Sequence, residues 1–330
     1  MKQVVYVASA ESKQIHVWSM DENGNLTLLQ QLTLPGEVHP MQISRDCRHL
    51  YVGIRPNCAI ITYLISAEGK LSKQAITAIH ATPTHIEIDR HGRWLFIPSY
   101  HQGTLMVLPV DQHKIAQSPI QVISDLKHPH ASGVSFDNSR LFVTCLGEDH
   151  IRIYIINNNG YLTEQVAHRI TTNKGAGPRH LAFLPNQNCF YCLNELDATI
   201  NVYSAFEPYQ QSQKCAILPA RLECNHWAAD IHITPNGRHL YASERSTSII
   251  SHFKVTKDGL ELLPITAYAT ETQPRGFNID QSGNFLLSAG QKSNHIAVYK
   301  INEVTGALQV LKRYPVGKGP MWITTHSIKK

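Results

Sequence analysis

The chain has 330 residues, 42% of them hydrophobic and 17% charged, with a formal net charge of +5. That apolar content excludes a disordered protein and is enough for a large core. The basic residues are scattered, adjoining only in pairs such as Lys312-Arg313, and no apolar run exceeds five residues, so neither a nucleic-acid footprint nor a membrane helix is expected.

The first apolar segment, Val4-Val5-Tyr6-Val7, precedes Ala8-Ser9-Ala10 and imitates a signal peptide at the short limit of length. It is better explained as the first copy of an internal repeat, and a cytoplasmic location is then expected. The same short strand recurs as Leu50-Tyr51-Val52, Leu95-Phe96-Ile97, Leu141-Phe142-Val143, Phe190-Tyr191-Cys192, Leu240-Tyr241-Ala242 and Phe285-Leu286-Leu287, at steps of 45, 45, 46, 49, 50 and 45 residues. A second series follows each copy in register: Val17-Trp18, Thr62-Tyr63, Val107-Leu108, Ile153-Tyr154, Val202-Tyr203, His252-Phe253 and Val298-Tyr299.

A third series precedes six of the first strands, beginning at Pro40, Pro83, Pro129, Pro178, Ala228 and Pro274. Its seventh copy is at the other end of the chain, Pro320-Met-Trp-Ile323, which is expected to pair with Val4–Val7. Turn residues separate the strands, as in Asp89-Arg-His-Gly92, Pro235-Asn-Gly237, Gly69-Lys70 and Gly259-Leu260. Four short strands in each period of 45 to 50 residues are the mark of a β-propeller. Length alone allows about two domains. The repeat instead predicts one all-β domain over 1–330, a seven-bladed β-propeller closed by pairing of its N- and C-terminal strands.

Seven cysteines, an odd number that includes Cys224, argue against a disulfide framework. Cys189-Phe-Tyr-Cys192 lies in a strand, where residues three apart point to opposite faces, so packed thiols are expected rather than a metal or redox pair.

Strand order locates a site. If the Pro-led strand is innermost, its start lies at the same end of the channel as the loop after the second strand. That mouth collects His39, His85, His130, Arg179, His180, Asp230 and Arg275 from the inner strands, and Arg55, Tyr100, Glu195 and Arg245 from the loops. Several Arg forks converging beside His suggest an anion-binding pocket. Phosphate-binding, dinucleotide-binding and nucleophile-elbow motifs are absent, Gly175-Ala-Gly177 reading as a plain loop. His128-Pro-His130 and Asp230-Ile-His232 have chelating spacing, but the Arg would repel a cation, so neither a metal nor any other cofactor is expected.

At these residues the sequence closely resembles the seven-bladed-propeller lactonase family, which also includes the fungal carboxymuconate-lactonising enzyme. The resemblance is carried by Gly175-Ala-Gly-Pro-Arg-His180, Asn194-Glu-Leu196, Trp227-Ala-Ala-Asp-Ile-His-Ile-Thr234, Thr270-Glu-Thr-Gln-Pro-Arg-Gly-Phe277, Gly290-Gln-Lys-Ser293 and Gly319-Pro-Met-Trp322. It implies hydrolysis of 6-phospho-D-glucono-1,5-lactone to 6-phosphogluconate in the oxidative pentose phosphate pathway. The family's lactonising relative implies a functional His, two Arg and a Glu, which fall here on His130, Arg179, Arg275 and Glu195; His130, Arg179 and Glu195 are expected to be catalytic and Arg275 to bind the anion, and Lys127-His-Pro-His-Ala-Ser-Gly133 departs from the usual pattern around the base.

The chemistry suits these residue types. A neutral His takes a proton from water, one Arg stabilises the oxyanion and another holds the phosphate, with Arg55 or Arg245 in reserve. His180 and Asp230 complete the expected substrate-binding set. Glu195 either orients His130, protonates the leaving ring oxygen, or only pairs with an Arg. The expected partner is a phosphorylated sugar lactone, with no nucleic acid, membrane or obligate protein partner. The alternatives are a non-catalytic interaction scaffold and a cycloisomerase acting on a carboxylated muconate.

Overall fold

The computed structural model describes residues 3–185, 189–218 and 225–328. Cys224 and the Lys329-Lys330 pair lie outside the described residues. The repeats form seven antiparallel sheets among the described residues, each a blade with its Pro-led strand at one edge. Six inner strands are Glu37–Ile43, Glu87–Ile88, Pro129–Val134, Pro178–Phe183, Ala228–Ile233 and Pro274–Ile279, which open blades 2 to 7. Blade 1 is closed by the last strand, Pro320–Ser327, beside the first, Gln3–Ser9.

Three details differ from the expected repeat. Pro320–Ile323 lies opposite Ser9–Val7, and Val4 pairs with His326, because the antiparallel closing strand runs on to Ser327. The inner strand of blade 3 is only Glu87–Ile88; Thr84, ahead of it, donates its N–H to the Pro98 carbonyl at 3.0 Å. Blade 4 has a fifth strand, Ile170–Thr171, paired with His150 and Ile151, which uses the extra residues of its longer repeat.

Strands of a blade are apolar on both faces because each face meets a neighbouring blade. Leu50 and Val52 join a core with Tyr6 and Val17 of blade 1, while Tyr51, between them, joins one with Ile86 and Ile97 of blade 3. The period of two thus feeds alternate residues to alternate interfaces. Among the described residues seven such clusters fill the seven interfaces. Cys189 and Cys192 follow the same rule: Cys189 packs toward blade 6 and Cys192 toward blade 4, and burial raises both thiol pKa values.

The recurring Tyr of the first series also has a polar task. The hydroxyls of Tyr6, Tyr51, Tyr191 and Tyr241 donate to the carbonyls of Gly69, Lys114, Gly259 and Gly306, each in a turn of the next blade, at 2.9, 2.9, 2.9 and 2.6 Å. Gly69 must be glycine there: its φ is +88°, and a Cβ would collide with Val4.

Closure makes the ring depend on its last strand. Met321 and Ile323 are buried in it, worth about 2 kcal/mol each. Truncation after Gly319 leaves the Gln3–Ser9 edge open and is expected to lower the melting temperature and promote aggregation, measured by calorimetry and light scattering. An unchanged melting temperature contradicts closure.

Candidate active site

The inner strands share a local irregularity. Register shifts occur between Val38 and Met41, Pro129 and Ser132, Pro178 and His180, Ala228 and Ile231, and Pro274 and Gly276. A bulge re-aims side chains, so consecutive residues no longer simply alternate between faces. Two hydroxyls brace these bends. Thr144 accepts the Ala131 N–H at 3.0 Å and donates to the Arg179 carbonyl at 2.7 Å; Ser243 accepts the Asp230 N–H at 3.1 Å. Asp149 accepts the N–H groups of Gly175 and Gly177 at 2.7 and 2.9 Å, which holds the loop leading to Arg179.

The bulges divide the expected residues between two chambers. A mouth pocket of about 370 Å³ is lined by His39, Arg55, Tyr100, His130, Arg179, Glu195, Arg245 and Arg275, together with Trp227, His101 and Thr82–Thr84. His85, His180 and Asp230 instead line a chamber of about 320 Å³ whose walls continue farther along the inner strands, with His232 and Trp322. The assignment of His85, His180 and Asp230 to the mouth is therefore corrected: Arg179 lines the mouth and the next residue, His180, the chamber behind it.

Glu195 organises the mouth. Its Oε2 accepts from Arg179 Nε at 2.7 Å and pairs with Arg245 at 3.1 Å, and its Oε1 accepts from Trp227 Nε1 at 3.2 Å. Arg179, 2% exposed, also donates to the Ala229 carbonyl. Arg245 lies 3.9 Å from the Trp227 ring and donates to the carbonyls of Trp227 and Ala228 at 3.1 and 2.9 Å. Although burial opposes it, the pull of Arg179 and Arg245 lowers the Glu195 pKa, so it is a carboxylate and not a proton donor. It makes no hydrogen bond to His130 among the described residues. Of the three expectations for Glu195, the structure places it in pairing with Arg: both guanidiniums hold Oε2 and the Trp227 indole holds Oε1.

The remaining cations differ in freedom. Arg55 donates to Glu37 at 3.0 Å and lies at the rim. Arg275 makes no hydrogen bond or ion pair with any described residue, although it is part-buried in the pocket wall. Burial and the charge of Arg179 press its pKa down to about 10, and the same two causes press Arg245 down. An anion in this pocket relieves that repulsion.

The His130 ring is buried between Tyr100 and His180, with centroids 6.0 and 5.0 Å away. Burial, followed by Arg179 and His180, holds its pKa well below the usual imidazole value, so it is neutral at physiological pH. Its Nδ1 is buried without a partner among the described residues, and the residue lines the mouth pocket. Tyr100 also stacks on His128 at 4.5 Å, so His128 supports the aromatic wall beside His130. Asp230 and His232 share a hydrogen bond, and no group of three or more His, Cys, Asp or Glu is placed to hold a metal ion among the described residues.

Sequence reasoning missed Trp227 and Glu37 as parts of this site. Both act by pairing with an Arg of another strand or loop. Trp227 stands at the head of a long family-like stretch, the one signal that pointed to it; Glu37 carries none.

A family model described as lactonase, seven-bladed β-propeller, matches residues 4–325. The chain is 53% identical over 324 residues to the 6-phosphogluconolactonase of Photorhabdus laumondii, covering 98% of this chain and 99% of that one. It is 52% identical, at the same coverage, to the enzyme of that name from Xenorhabdus nematophila. A solved structure, the periplasmic gluconolactonase of Pseudomonas aeruginosa, superposes with a TM-score of 0.92 at 22% identity, covering 100% of both chains, which shows the shared fold. No helix among the described residues is long and apolar enough to cross a membrane.

The buried imidazoles make stability depend on pH. His39, His85 and His180 titrate in the folded ring at about 2, 3 and 4, in each case chiefly through burial. In the unfolded chain they take up protons near pH 6.5. Protons therefore favour unfolding as pH falls through 6.5 toward 4, at a cost on the order of 1–2 kcal/mol per His by pH 5. The melting temperature is expected to be flat from pH 8 to 7 and to fall steadily below 6.5; a flat profile down to pH 5 contradicts the buried neutral assignment.

Proposed function

The chain belongs to the seven-bladed β-propeller lactonase family and hydrolyses 6-phosphogluconolactone, a step of the pentose phosphate pathway, and we propose that it does so at the Arg-lined mouth with His130 as general base. The observation that carries the site assignment is Arg275, a guanidinium without a hydrogen-bond or ion-pair partner among the described residues, in a pocket where the other three are tied to carboxylates. A dianionic phosphate is the complement of such a group. Whole-length similarity to named hydrolases sets aside the scaffold and cycloisomerase readings.

In this reading the phosphate is held by Arg275, with Arg55 at the rim. Water attacks the lactone carbonyl carbon while His130 Nε2 takes its proton. The carbonyl oxygen gains negative charge, which Arg179 stabilises from a position already fixed by Glu195 and the Ala229 carbonyl. The ring C–O bond then breaks, and the ring oxygen takes the proton back from His130. Arg245 and Trp227 keep Glu195 and hence Arg179 in place. No cofactor enters these steps. The chain acts as one unit over 1–330. A phosphorylated lactone does not cross a bilayer unaided, so the enzyme works where its substrate is made, for which we propose the cytoplasm.

His130→Ala is expected to lower kcat by about 10²–10⁴ with an unchanged far-ultraviolet spectrum; a loss below tenfold places the base elsewhere. Arg275→Ala should raise KM and lower kcat/KM for the phosphorylated lactone by about tenfold or more, and alter glucono-lactone little. Arg179→Ala should damage kcat on both. Steady-state kinetics on the two lactones tests both variants. Losses under threefold on the phosphorylated lactone for both contradict the mouth assignment.

A further inference from the structure

The chamber behind the mouth has no task in the reaction as written, yet its polar groups are tightly organised. Asp230 Oδ1 accepts from His180 Nδ1 at 2.7 Å and from the Ile231 N–H at 3.0 Å. Its Oδ2 accepts from His232 Nε2 at 3.1 Å and from the Phe277 N–H at 3.2 Å. Four donors fix this carboxylate, and His232 and His180 hold its pKa well below the usual range although burial opposes them. A neutral His180 that donates through Nδ1 must carry its lone pair on Nε2.

That Nε2 is buried and has no partner among the described residues. Neither has the buried Nδ1 of His130, on the neighbouring inner strand, and the two rings are centred 5.0 Å apart. The two atoms are not hydrogen-bonded to each other in this structure; a small turn of either ring, or a single bridging water, joins them. His85 also has an unpartnered Nδ1, but its ring is 5.8 Å from His180.

We propose that His180, oriented by Asp230, is a positioning residue for the base: its Nε2 accepts the Nδ1–H of His130, which leaves the Nε2 lone pair of His130 turned toward the mouth. This rests on the reading of His130 as general base. When the water's proton passes to His130 Nε2, the imidazolium keeps its Nδ1–H on His180, and the charge of Asp230 stabilises it through that ring. The proton on His130 then leaves for the ring oxygen, and none is transferred to Asp230. Among the described residues the charged and titratable groups around His180 are His85, His130, Arg179, Asp230 and His232, so Asp230 is the one anion among them for this support.

The test is steady-state kinetics between pH 5 and 9 on His130→Ala, His180→Ala, His180→Gln, Asp230→Asn and the His130→Ala/His180→Ala double variant. His180→Ala is expected to lower kcat by about 10–100-fold with KM within about threefold, and to move the acid limb of kcat/KM to lower pH. His180→Gln, which keeps an acceptor, should recover part of the rate. Asp230→Asn should fall the same way, and the double variant should be no slower than His130→Ala alone. A His180→Ala rate within twofold of the parent, or a loss confined to KM with an unmoved acid limb, overturns the proposal. If His130→Ala is itself active, the base reading fails first; if it collapses while His180→Ala does not, only the positioning role fails. Should His180→Ala not fold, ¹⁵N spectra of the unsubstituted protein decide: His130 protonated on Nδ1 supports the role, and the opposite tautomer overturns it.

Discussion

The molecule depends on using up its last sheet edge. Seven sheets standing face to face around an axis leave one gap, and the pairing of Gln3–Ser9 with Pro320–Ser327 fills it. The closing strand carries Met321 and Ile323 into the core and faces Trp322 to the central channel, so the residue that walls the inner chamber comes from the strand that seals the ring. With the seven interfaces filled chiefly by apolar side chains, the inner strands turn the charged residues of the site toward the channel. The site is thus a consequence of closure: inner strands of different blades bring their first residues to one mouth.

Charge is the second constraint. Buried guanidiniums are tolerated when paired, and Glu195 alone takes two of them, Arg179 and Arg245. Positive charge remains in excess at the mouth, where burial and Arg179 press the Arg275 pKa down, and where burial first, then Arg179 and His180, hold the His130 pKa low. Both effects point the same way. In the proposed mechanism, a bound dianion offsets this positive field and raises the basicity of His130 as it binds. On that proposal, recognition of the phosphate and activation of water are coupled through the same field.

The architecture was legible in the sequence because every blade repeats it. Two series in register fix the count of blades, and the alternation around Tyr51 already states which residues meet which neighbour. The membership of the site was legible only as a set of strand starts. What separates Arg179 from His180 is a bulge, and a bulge has no signature in Pro178-Arg-His-Leu181. The role of Glu195 likewise depends on two Arg from different blades meeting at one carboxylate, a distance that no spacing encodes. Trp227 and Glu37 escaped notice for the same reason, since their importance lies in the guanidinium each one touches.

The central claim is that the Arg-lined mouth is where the phosphorylated lactone is opened. A crystal structure of the enzyme with its product, 6-phosphogluconate, tests it most directly. The account predicts the phosphate on the Arg275 guanidinium at about 2.7–2.9 Å and the new carboxylate beside Arg179, within about 3.5 Å of His130 Nε2. Product bound at the opposite end of the channel, or in the mouth with its phosphate away from Arg275, contradicts it.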